Sequence, residues 1–105
     1  MTDVDIDERL QTQVRAKAQT LKERYENGDL AHYIRKQYNY RITIGADGTF
    51  LHGKVQLAGG GPTVWLNTGT KEVEGHWGTS NEIYHVPDDV IDEVNATLRT
   101  MYEAV

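Results

Sequence analysis

The sequence predicts an α+β domain: an antiparallel meander of four or five strands, with an N-terminal and a C-terminal helix packed on one face. Three observations carry this. Apolar residues fall on one helical face over 5–27 and again from Val90 to Tyr102. Between these stretches the period shifts to two, in consecutive runs separated by glycine-bearing turns. No helical segment interrupts those runs, so each strand can pair with its predecessor. A chain of 105 residues with 38% hydrophobic and 26% charged content fits one soluble domain with its own core.

The first helix places Ile6, Leu10, Val14, Ala18, Leu21 and Tyr25 in a stripe with steps of three and four. Asp3 or Asp5 is expected to cap it, and Asn27-Gly28 to end it with a residue tolerant of positive φ. Asp29 is the expected cap of a short second helix over 30–37, with Leu30, Tyr33 and Ile34 facing inward. Tyr25, Tyr33, Tyr38 and Tyr40 crowd this region. They read as core edges with hydroxyls toward water, the alternative being a stacking surface for bases.

From Tyr40 the pattern alternates, with Tyr40, Ile42 and Ile44 inward. Ala46-Asp47-Gly48 forms a turn, and the next strand sets Leu51, Gly53, Val55 and Leu57 on one face and Phe50, His52, Lys54 and Gln56 on the other. Gly59-Gly60-Gly61-Pro62 leads into a hairpin of Val64–Asn67 and Glu72–Trp77, followed by a short run to Val86. Pro87 and the acids after it mark the entrance of the last helix.

Composition limits function. The chain has no cysteine, which excludes disulfide and thiol chemistry and cysteine-based zinc sites. No apolar run approaches the ~20 residues of a membrane span, and the acidic first residues do not resemble a signal peptide, so a cytoplasmic protein is expected. His32, His52, His76 and His85 lack zinc-ligand spacing, and there is no nucleophile elbow, so no metal, cofactor or catalytic residue is assigned. The glycine loop matches neither phosphate-binding pattern, because a strand rather than a helix follows it.

Charge is uneven. Residues 9–41 carry a net +5 and residues 42–105 a net −6, within a total of −5. One reading sets the basic and acidic helices side by side; the other is a bipolar surface whose acidic end meets a basic partner. If Val64 and Leu66 face the core, Trp65 faces the other way, sharing its side with His52, Glu74 and His76 among mostly polar residues. A large aromatic on such a face has the character of a binding hot spot. The alternatives are a Trp65 covered by a loop or terminus, or an inverted strand phase.

Leu57–Gly78, read as L-A-G-G-G-P-T-V-W-L-N-T-G-T-K-E-V-E-G-H-W-G, is similar to segments of small uncharacterised phage and plasmid proteins. The resemblance implies a mobile-element accessory protein, some of which inhibit host defence enzymes, and it transfers no catalytic residue.

The expected function is therefore non-enzymatic protein binding. The acidic last helix (Asp88, Asp89, Asp92, Glu93) meets a basic partner, and Trp65, with His52, Glu74 and His76, anchors a second contact. The alternative is direct nucleic-acid binding through Arg15, Lys17, Lys22, Arg24, Arg35 and Lys36, which the net negative charge opposes. A small enzyme built on the histidines is the third reading.

Overall fold

The computed structural model describes residues 3–37 and 39–104. The elements are α1 (Asp3–Asn27), α2 (Leu30–Arg35), β1 (Tyr40–Ile44), β2 (Phe50–Ala58), β3 (Thr63–Asn67), β4 (Glu72–Trp77), β5 (Ser80–His85) and α3 (Asp88–Glu103). The five strands form one antiparallel sheet in the order β1-β2-β3-β4-β5. Short connections make this arrangement natural, since each strand need only fold back on its neighbour.

Both long helices cover the same face. α1 packs over β4 and β5, while α3 packs over β2 and against α2. Two glycines make this close approach possible. A β-carbon on Gly75 would stand within 2.4 Å of Val14 Cγ2, and one on Gly53 within 2.7 Å of Leu98 Cδ1. The core between the layers is aliphatic: Leu10, Val14 and Leu21 of α1 meet Val55, Val64, Leu66 and Val73 of the sheet and Val90, Ile91, Val94 and Leu98 of α3. Leu30 and Ile34 of α2 close one side. Apolar burial is the main stabilising contribution, and it also holds α2, whose six residues are too short to be stable alone.

Several local expectations need correction. Asp29 makes no capping bond to α2; its carboxylate is drawn to Arg24 at 2.8 Å instead. α2 ends at Arg35 rather than reaching residue 37. Asp3 and Asp5 both lie within α1, but their side chains, and Tyr38, lie outside what the structure describes. In β1, Tyr40 and Ile44 remain 39% and 46% exposed, because an edge strand lacks neighbours on one side. Leu51 is 54% exposed, whereas Phe50 packs on the core. The cause is a register shift between Thr43 and Ile44, which pairs Ile44 with Phe50 and leaves Leu51 unpaired. An extra residue of this kind reverses the alternation beyond it.

The turns are built by side chains. Asp47 accepts hydrogen bonds from the Thr49 amide and hydroxyl, at 3.1 and 2.7 Å, which lowers the carboxyl pKa below its ordinary value. Asn67 Oδ1 accepts from the amides of Gly69 and Thr70. The left-handed residue of this β3–β4 turn is Lys71, with φ of 61°, rather than Gly69. Thr68 is buried and ties the turn to β2, its hydroxyl accepting from Gly53 N–H at 2.8 Å and donating to Gly53 O at 3.1 Å.

Candidate functional site: the open face of the sheet

With both long helices on one side, strand phase sends the other half of the side chains to a face that carries no helix. Val64 and Leu66 are fully buried beneath the helices, so Trp65 between them belongs to the open face. The expectation of an outward Trp65 holds, and an inverted phase is excluded. Pairing places Gln56, Trp65, Glu74 and Ile83 in one row across β2 to β5. A second row runs through Arg41, Lys54, Asn67, Glu72 and His85.

Trp65 is half-buried by what lies beside it. The Arg41 guanidinium stands 5.4 Å from the ring centroid and the Lys54 ammonium 5.5 Å. Both cations meet the negative π face of the indole, an attraction worth about 0.5–1 kcal/mol each at such a site. Lys54 also pairs with Glu74 at 3.1 Å, closing a cation, carboxylate and aromatic cluster. Its central group is a residue type enriched at binding hot spots.

The histidines of this face do not converge. His52 sits beside β1, packed under Gly69, with its buried Nδ1 lacking a hydrogen-bond partner. His76 lies toward the opposite end, paired with Thr63 and Asn81, and its Nδ1 contacts Asn81 Oδ1. His85 lies near Glu72, 3.8 Å away. Among the described residues no group of three or more metal-ligating side chains forms a site.

The acids of α3 lie on the helical layer, across the sheet from Trp65. One flat partner surface therefore cannot touch both. Asp88 pairs with Lys71 at 2.9 Å, an interaction that raises the lysine pKa. Asp89 accepts from the Val90 amide within the first turn, Glu93 is partly buried, and Asp92 remains exposed. α3 lies against α2 and touches α1, but no salt bridge among the described residues joins α1 to α3.

The basic residues are also divided. Arg15 and Lys22 recur after seven positions and line a groove with Tyr84 and His85. Lys17 and Arg24 lie on another side of α1, at the ~100° per residue of a helix. Arg24 is engaged with Asp29 and with the Tyr33 ring, 5.3 Å from its centroid, where burial raises the tyrosine pKa. Arg35 and Lys36 are exposed at the end of α2.

The groups that sequence reasoning missed are Arg41 and Lys54 as partners of Trp65. Strand phase puts both on its face, but only the register brings them over the ring. No helix is long and apolar enough to cross a membrane among the described residues. Comparison of this chain with family models, with characterised proteins and with solved structures gives no match.

Proposed function

We propose that this chain is a non-enzymatic binding domain that docks on another protein through the open face of its sheet, with Trp65 as the anchor. The observation that carries the reading is the half-buried indole held by Arg41 and Lys54 at the centre of a polar, helix-free face. Such a ring offers a rigid apolar contact at little conformational cost, and the surrounding charges supply orientation. The exposed acids of α3 provide a separate contact for a basic surface on the other side of the molecule. The resemblance of Leu57–Gly78 to phage and plasmid proteins extends the reading to a mobile-element inhibitor of a host defence or nucleic-acid-handling complex, and that extension rests on the resemblance alone.

The test starts with proteins retained from a native-host lysate by the immobilised chain. The affinity of each purified candidate for wild type, Trp65→Ala and Asp92→Lys is then compared. Loss of ~2 kcal/mol or more with Trp65→Ala alone supports the open face. Equal binding by Trp65→Ala removes it. Direct binding to nucleic acid, weakening steeply with salt, favours the basic segment instead.

A further inference from the structure

We infer that the free edge of β5 is a self-association site, at which a second copy of this chain adds its own β5 in antiparallel pairing. The two edges of the sheet differ. On β1 the ladder is broken by the bulge at Thr43/Ile44, and Arg41 lies on the strand; both features protect an edge from further pairing. β5 reads Ser80-Asn81-Glu82-Ile83-Tyr84-His85, with no proline, lysine, arginine or register shift. Two of its residues, Ile83 and Tyr84, are 59% and 47% exposed, one toward each face of the sheet.

The hydrogen-bond phase identifies what the edge offers. Val86 N–H donates to Lys71 O at 2.9 Å. Alternation along an antiparallel ladder then turns the backbone groups of Tyr84 and Glu82 toward β4 and those of Asn81, Ile83 and His85 outward. A two-fold axis through Ile83 satisfies all of the latter: Ile83 exchanges bonds with Ile83 of the second copy, and Asn81 with His85. On the open face this register sets isoleucine against isoleucine, and on the helical face it sets Glu82 beside the Tyr84 of the second copy. Shifting the axis to Glu82 opposes two carboxylates, which is unfavourable, and shifting it to Tyr84 brings Pro87, which has no N–H, opposite Asn81.

Charge on α1 fits the same axis. Glu8 and Arg9 lie at the Trp77 end of the β4–β5 hairpin, whereas Arg15 and Lys22 lie beside Tyr84 and His85. The two-fold therefore brings Glu8 of one α1 toward Arg15 and Lys22 of the other.

Sedimentation of this chain from micromolar to millimolar concentration tests this, alongside amide exchange. Wild type is expected to shift from one chain to two, with slowed exchange at Asn81, Ile83 and His85 in the dimer. Ile83→Lys, which opposes two like charges, and Ile83→Pro, which removes only an outward-facing N–H, should both remain single chains, with circular dichroism showing each still folded. A wild type that stays monomeric throughout overturns the inference. So does a dimer that survives either substitution in a folded chain, or one in which α3 rather than β5 is protected.

Discussion

Leu98 of α3 rests directly on the backbone of Gly53 in β2. A β-carbon at that position would stand 2.7 Å from Leu98 Cδ1 and 2.8 Å from the Arg41 carbonyl oxygen. Gly75 has the same relation to α1, but there the obstacles are side-chain atoms, Val14 Cγ2 and Leu10 Cδ1. Gly53→Ala should destabilise the fold by about 1–3 kcal/mol through overpacking, and Leu98→Ala by about 2–5 kcal/mol through the cavity it leaves. Val14→Ala should offset part of the Gly75→Ala penalty, whereas Leu98→Ala should offset less of the Gly53→Ala penalty, because the Arg41 carbonyl cannot withdraw. Urea unfolding of the single and double variants measures both couplings.

Asp47 provides a pH signature. Its carboxyl is held below the ordinary range by the Thr49 hydroxyl and amide. A depressed folded-state pKa stabilises the protein above the unfolded value of ~3.9, and the contribution is lost as pH falls through the folded value. The stability advantage of wild type over Asp47→Asn should therefore shrink only on acidification below about pH 4. Thr49→Val should move the Asp47 titration, followed by NMR, back toward higher pH.

Lys71 combines a left-handed backbone with an ion pair to Asp88. Lys71→Gly and Lys71→Met remove the same charge, but only glycine relieves the backbone. The glycine variant should be the more stable by about 1 kcal/mol in urea unfolding. Because Asp88 raises the Lys71 pKa, any contribution of the pair is present below the unfolded lysine value of ~10.4 and is lost as pH rises through the folded value.

Trp65→Ala should cost about 1–2 kcal/mol of stability, from two exposed cation–π contacts and a cross-strand pair. A buried core aromatic would cost about 3–5 kcal/mol. In a Trp77→Phe background, iodide should quench Trp65 fluorescence in part, and Arg41→Ala should increase that quenching by uncovering the ring.

The helices and the phase of β3 were legible because Leu10, Val14, Ala18 and Leu21, or Val64 and Leu66, follow a local period that burial enforces. The exposure of Leu51 was not, since a bulge depends on how two strands meet and leaves no mark on the period of either. The outward aspect of Trp65 followed from the same period, whereas its contact with Arg41 and Lys54 required cross-strand register. The separation of Trp65 from Asp92 is also legible in the sequence. A buried Val90, Ile91, Val94 and Leu98 stripe on α3 commits that helix to the face opposite Trp65.

The most direct test of the open face as the binding surface is an NMR titration of the isotope-labelled chain with its purified partner. The account predicts the largest shifts at the Trp65 indole N–H and at the amides of Arg41, Lys54, Trp65 and Glu74, with α3 unmoved. An unmoved Trp65, with shifts confined to Asp88–Glu93 or to Arg15–Lys22, would contradict it.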